Sequence, residues 1–246
     1  MIRVAKLIPV FPYTSQRRAE DFTNGPKSYD IWLKTFNELI DAEIHIDAGC
    51  PMDIFLYYRS IPGDRTGEAE IYKFDGQATP NGVITVTEMD NDNIKGFSII
   101  REFILSGIPN MYDYILYQED DVVLVPGCDG YVFDSVSRIE NKEYKVIGYS
   151  VAVTQPFVHM GGLFALIPLK PLIANIEAFP LNAQGDELDI NKWVNDSLGI
   201  QFIDVGYLPQ YKNFPVNYET VTCFKQNYVT PFWRTEGRFL FRVGAI

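Results

Sequence analysis

Apolar and polar residues alternate along this chain in two rhythms. Residues 4–11 (VAKLIPVF) are apolar and β-branched and close at Pro12-Tyr13, a pattern that predicts a buried strand running into a loop. Residues 26–41 (PKSYDIWLKTFNELID) carry Ile31, Trp32, Phe36, Leu39 and Ile40 at helical spacing, with Pro26 where a helix would start. Residues 52–58 (MDIFLYY) read as a second strand, buried on both faces, and 83–87 (VITVT) as a third after an Asn81-Gly82 turn. The next helix is predicted over 93–107, with Ile94, Phe97, Ile100, Ile104 and Leu105 on one side and Gly107 at its end. A strand over 112–118 (YDYILYQ) then runs straight into Glu119-Asp120-Asp121, after which VVLVP turns apolar again.

The second half is more mixed. Residues 145–153 (KVIGYSVAV) and 200–205 (IQFIDV) predict strands. Residues 186–198 predict a helix whose apolar positions are Leu188, Ile190, Trp193 and Val194. Between them, His159-Met160-Gly161-Gly162 precedes the apolar run LFALI. From Tyr207 on, aromatics, Asn and Pro predominate, as in a segment that wraps the body of a protein. His45, in EIHID, is expected on a surface strand. The alternation of strand and helix in the first half argues for an α/β fold with a mostly parallel central sheet and right-handed crossovers. No repeat or linker divides the chain, so one domain over 1–246 is expected, with halves of about 1–125 and 126–246.

Composition sharpens this. The 246 residues are 47% hydrophobic and 22% charged, which suits a globular protein with a sizeable core and excludes disordered or collagen-like chains. The formal net charge is −11, and no Lys/Arg-rich block is present, so nucleic acid is not an expected partner. An anionic small molecule would need local cations or a metal ion to offset the field. Cys50, Cys128 and Cys223 form no zinc-like spacing and no even-numbered framework, which favours reduced thiols and a cytoplasmic protein. No apolar run approaches the roughly 20 residues of a membrane span, so no transmembrane segment is expected, and peripheral membrane contact stays open.

The most informative chemistry is the junction YILYQEDDVVLVPG. Adjacent carboxylates repel, and a folded site that gathers them needs compensation, which a divalent cation supplies. Mg²⁺ and Mn²⁺ take oxygen ligands and complete their shell with waters and phosphates. Asp121 is the first candidate ligand, with Glu119 or Asp120 assisting. The same acids would suit a solvated turn, but the apolar strands on either side favour a site. Open α/β sheets bind ligands beyond the carboxyl ends of their strands, where this triplet is expected.

The junction resembles the DxD motif of the GT-A class of glycosyltransferases, in its EDD form. Three further segments resemble the class: the helix before the motif, with Gly96 and Arg101; HMGGLFALI, similar to the glycine-containing acceptor loop; and GDELDINKWV, similar to an acidic helix start that supplies a catalytic base. The likeness runs in element order from about Val4 to Val205. It implies a Rossmann-like fold, a nucleotide-diphosphate sugar as donor co-substrate, Mn²⁺ or Mg²⁺ on its diphosphate, and a glycan or other hydroxyl as acceptor.

On that resemblance the loop after the first strand holds the nucleotide, with Pro9, Phe11, Tyr13 and Arg17 as contacts, joined by Asp90, Arg101, Glu119 and Asp120. Tyr13 could stack on a base and Arg17 meet a phosphate. An exposed basic turn at 17–18 and a helix cap at Asp90 are the plainer alternatives. Glu187 and Asp186, near a helix N-terminus that favours ionised carboxylates, are the candidate bases of an inverting transfer, and Asp186 equally suits an N-cap. His159, Gly161 and Gly162 are the acceptor-side candidates; a packed histidine and an ordinary glycine turn would explain them as well. No His follows His159, a departure from class members that use a C-terminal His on the metal. Trp193, Trp233, Tyr207, Tyr211 and Phe232 are candidate sugar-stacking walls. A nucleotidyltransferase acting on a sugar phosphate is the alternative enzyme, although PVFPYTSQRR lacks the glycines of such a phosphate loop. A non-catalytic sugar-binding module is the alternative outside enzymes.

Overall fold

The computed structural model describes residues 1–12, 29–59, 63–89, 98–118, 120, 122–124, 129–140, 147–154, 157–180, 190, 193–194, 196–197, 203–204, 224–226 and 238–239. Strand β1 (Val4–Val10) is buried along its whole length. It is followed by α1 (Tyr29–His45), β2 (Met52–Arg59), α2 (Glu68–Tyr72), β3 (Ile84–Met89), α3 (Ser98–Leu105) and β4 (Tyr114–Gln118). After β4 come β5 (Val122–Leu124), α4 (Tyr131–Glu140), β6 (Ile147–Thr154), β7 (Phe157–Pro168), α5 (Leu169–Ala174), β8 (Ile203–Asp204), β9 (Phe224–Gln226) and β10 (Arg238–Phe239).

Seven strands form one sheet in the order β3-β2-β1-β4-β7-β6-β8. β1 pairs in parallel with β2 and β4, and β2 with β3, whereas β7 runs antiparallel to both of its neighbours. β8 is parallel to β6, so β7 is the one reversed strand of this sheet. The expected α/β, Rossmann-like, mostly parallel architecture is therefore present. β5, β9 and β10 make a separate antiparallel sheet of three strands, which brings residues 224–226 and 238–239 back to the segment just past the acidic junction.

Period-two alternation in the central strands sorts side chains onto two faces. Ala5, Leu7, Phe55, Tyr57, Ile115 and Tyr117 meet Ile99, Ile100, Phe103 and Ile104 of α3 on one side. On the other, Ile8, Val10, Ile54, Leu56 and Tyr58 meet Trp32, Phe36, Leu39 and Ile40 of α1. Burying each large apolar side chain contributes about 1.5–3 kcal/mol, so these two layers hold the sheet between helices. A charged cluster lies inside the second layer: the ammonium of Lys6 on β1 is fully buried, ion-paired with buried Glu43 of α1 and 3.1 Å from the Tyr131 hydroxyl of α4. No helix among the described residues is long and apolar enough to cross a membrane.

Several expectations change. HMGGLFALI is not a loop but the body of β7. Its glycines fall where the β6–β7 register shifts, between Gly148↔Ala165 and Ser150↔Gly161. A residue without a side chain tolerates such an irregularity, and that is the physical reason for glycines inside a strand. His45 ends α1 rather than lying on a strand; its Nδ1 is 2.7 Å from the Asp41 carbonyl one turn back. Trp193 is a core residue, not a sugar wall: it is 5% exposed, stacks edge-on against Phe179, and its indole N–H donates to the Asn175 carbonyl at 3.2 Å. The helices α2, α4 and α5 were not expected from the pattern. Among its described side chains, α4 buries Tyr131, Val132 and Val136.

Candidate functional site

Strand order locates the crevice. From β1 the chain steps to β2 and β3 on one side, then returns to place β4 on the other side of β1. Strand order thus reverses between β1 and β4, and the carboxyl ends of these strands are where open sheets of this type take ligands. Among the described residues the β1–β4 ladder runs to Leu7↔Tyr117, while β1 pairs with β2 as far as Val10↔Tyr58 and β4 pairs with β7 as far as Gln118↔Phe164. Pro9 lies two residues past that last pair and has no N–H to offer a ladder.

Asp120 links the ends of the two strands. Its Oδ2 accepts a hydrogen bond from the backbone N–H of Phe11 at 2.9 Å in a partly buried setting. The described member of the acidic triplet and the described start of the β1 exit loop, expected separately as nucleotide contacts, are thus in direct contact. Glu119 and Asp121 flank Asp120 in sequence and lie outside the described residues.

One wall comes from β7. Because it runs against β4 and Gln118 pairs with Phe164, residues 157–163 of β7 continue past the end of β4, paired with β6 over Ser150↔Gly161 to Thr154↔Phe157. His159, Gly161 and Gly162 are on this overhang, next to the acidic junction in the sheet.

The opposite rim comes from the segment after β2. Gly67 caps α2 with φ +84°, a left-handed conformation that favours glycine. A β-carbon there would come within 2.9 Å of Pro12 and 3.1 Å of the Trp32 ring, so the turn is packed hard onto the β1 exit. The Asp64 carboxylate holds the turn by accepting the Thr66 N–H at 3.0 Å. Trp32, 2% exposed, has an indole N–H with no acceptor among the described residues. Sequence reading passed over Gly67, although Asp64-Arg65-Thr66-Gly67 has the composition of a side-chain-capped turn.

Electrostatically this rim is acidic. Burial lifts the pKa of the Tyr58 phenol at the end of β2 to about 12, and the nearby Glu68, Glu88 and Asp64 carboxylates push the same way, with Arg65 opposing them. Arg65 is itself paired with Glu68 at 3.0 Å. An anionic ligand entering here would meet a negative field that a cation would have to offset.

The remaining candidates stand as follows. Pro9 is buried in β1 opposite Tyr57 of β2. Arg101, on α3, is partly exposed, and its Nη1 donates to its neighbour Glu102 at 3.0 Å. Tyr13, Arg17, Asp90, Asp186 and Glu187 lie outside the described residues, as do Gly96, Tyr207, Tyr211, Phe232 and Trp233. The helix expected over 186–198 is seen through Ile190, Trp193 and Val194, which pack into the α3 side of the core. Among the described residues no cluster of three His, Cys, Asp or Glu side chains is placed to hold a metal ion. In kind, a carboxylate set at a strand end suits a hard divalent cation.

No family model and no curated protein matches the chain. Solved structures similar to it include one described as a glucose-1-phosphate thymidylyltransferase from Bacillus anthracis, 11% identical, covering 82% of this chain and 86% of its own with a TM-score of 0.47. One described as a nucleotide-diphospho-sugar transferase, from Desulfovibrio desulfuricans G20, is 11% identical over 83% of this chain and 80% of its own, with a TM-score of 0.47. The glycosyltransferase GlyE of Streptococcus pneumoniae TIGR4 is 13% identical over 86% of this chain and 46% of its own, with a TM-score of 0.41. These are proteins the chain is similar to; the architecture assigned above rests on its own strand order and register.

Proposed function

We propose that the chain is a transferase that takes a nucleotide-diphosphate sugar into the β1/β4 crevice and moves the sugar to an acceptor hydroxyl, with inversion. The observation that carries this reading is the contact of Asp120 with the Phe11 amide, at the point where strand order reverses. Asp121 and Glu119 would hold Mn²⁺ or Mg²⁺, which when bound offsets the charge of the departing nucleoside diphosphate as a Lewis acid. Asp120 spends one oxygen on Phe11, which favours its neighbours as ligands. Tyr13 and Arg17, on the loop that Phe11 begins, would contact base and phosphate; Asp90 and Arg101 are secondary nucleotide candidates. Glu187, with Asp186 capping or sharing the role, would take the acceptor proton. His159, Gly161 and Gly162 would line the acceptor side on the β7 overhang.

The test is a thermal-shift screen of nucleotide sugars with and without Mn²⁺, followed by product analysis. A ligand at 100 times its Kd adds about 2.7 kcal/mol of stability, an easily read shift. Asp121→Asn should abolish transfer with the melting curve of the unliganded protein unchanged. Full activity in that variant would remove the metal assignment. Release of pyrophosphate, in place of nucleoside diphosphate, would mark the alternative nucleotidyl transfer to a sugar phosphate. Binding without turnover would mark a sugar-binding module.

A further inference from the structure

We infer that Asp120 is a positioning residue: beyond Pro9, which breaks the β1–β4 ladder, its carboxylate holds the Phe11 amide and so fixes the exit of β1 before any ligand arrives. Three observations carry this. Among the described residues the backbone ladder between β1 and β4 runs to Leu7↔Tyr117, and Pro9 has no N–H with which to extend it. The Phe11 N–H, just past the end of β1, is held at 2.9 Å by a side chain 109 residues away in sequence. That contact is partly buried, where a hydrogen bond to a carboxylate is stronger than in water. Pro12, next in the chain, is buried and packed against the Gly67 turn and Trp32, so a fixed Phe11 fixes that packing too.

The consequence separates Asp120 from the acids beside it. A metal ligand acts through its charge, and replacing the carboxylate with an amide removes that charge. A residue that only accepts an N–H bond keeps its role as asparagine, whose side-chain oxygen can still accept. Asp120→Asn and Asp120→Ala therefore have different expected behaviour if Asp120 positions the loop, and the same behaviour if it ligates. On the proposed function above, Phe11 and Pro12, so fixed, belong to the lip that would meet the nucleoside diphosphate of the donor.

The experiment has two arms on the full chain. The first is hydrogen exchange of the Phe11 amide by NMR, in EDTA and without ligand. The amide should be protected in the natural protein and in Asp120→Asn. In Asp120→Ala it should exchange at least tenfold faster, with the amides inside β1 unchanged. An unprotected Phe11 amide in the natural protein, or equal exchange in both variants, would overturn the inference. The natural-protein measurement keeps it refutable even if the alanine variant does not fold. The second arm is calorimetric titration with UDP, CDP, GDP and dTDP in EDTA. Affinity for the best of them should fall at least tenfold in Asp120→Ala and be largely restored in Asp120→Asn; equal losses in both would overturn the positioning role in favour of charge. If the first arm succeeds and the natural protein binds none of the four, with or without Mn²⁺, the latch stands and the donor-site reading falls.

Discussion

Lys6→Met should destabilise the protein strongly at pH 7 and much less at pH 5. In the native protein the Lys6 side chain has no solvent exposure, and the Glu43 side chain 1%. Burial pulls the Lys6 ammonium below the ordinary lysine pKa, while the Glu43 carboxylate works in the opposite direction by attraction and by hydrogen bonding. Methionine matches the lysine stem in shape but leaves a carboxylate in the core without its cation. Removing one partner of a buried pair costs about 3–5 kcal/mol. The stranded acid can escape by taking up a proton. For a carboxyl of ordinary pKa near 4.3, that costs about 3.7 kcal/mol at pH 7 and about 1 kcal/mol at pH 5. A carboxyl whose pKa is raised on folding destabilises above its folded pKa and ceases to do so below its unfolded one, so the deficit should shrink as pH falls. At pH 7 the loss corresponds to about 7–15 °C in Tm for a chain of this size. Urea melts of the natural protein, Lys6→Met and Lys6→Met/Glu43→Leu at both pH values would test it. The double variant should recover most of the loss, because no charge is then left unpaired. A single-variant deficit under about 1 kcal/mol at pH 7, or one of equal size at both pH values, would refute a buried ion pair here.

Two other predictions concern the same half. Gly67→Ala should cost about 2–3 kcal/mol in urea melts, because alanine resists a φ of +84° and its methyl would overlap Pro12; a loss under about 0.5 kcal/mol would contradict the packing of that turn on the β1 exit. Cys50, whose thiol is pushed up to about 11 by burial and then by Asp47, should be alkylated by iodoacetamide at pH 8 roughly a hundredfold more slowly than a model thiol, read by peptide mass spectrometry; a rate equal to that of glutathione would contradict it.

The first half of the fold was legible because its strands are continuous apolar runs and its two long helices have wide apolar faces. Trp32, Phe36, Leu39 and Ile40 were placed on one helix face by spacing alone, and all four are core residues. Boundaries moved where a pattern continued past its element: Gly107 lies beyond α3, which ends at Leu105, and α1 runs on to His45 because Glu43 is buried against Lys6 instead of marking a surface turn. Legibility failed at β7. The two glycines of HMGGLFALI signal backbone freedom, and a strand irregularity uses that freedom as readily as a loop. It failed again at Trp193, since an aromatic at helical spacing looks the same whether it faces a ligand or Phe179. At the site, the acidic triplet could be read as a strand end, but its contact with Phe11 could not. A bond spanning 109 residues depends on which strands become neighbours, and local pattern does not encode that.

The reversed strand has a consequence for how the chain is made. On one flank β4 is covered by β1, but on the other it is covered by β7, whose pairing partners lie roughly 50 residues downstream, a few seconds of synthesis at cellular rates. Through that interval a nascent chain with β1 to β4 already assembled would present a bare row of amides and carbonyls, the template on which strands from other chains dock. The acids that follow β4 give this temporary seam a dense negative charge at one end. The residues proposed for ligand capture in the finished protein would therefore also discourage neighbouring nascent chains from zipping together while the seam is open.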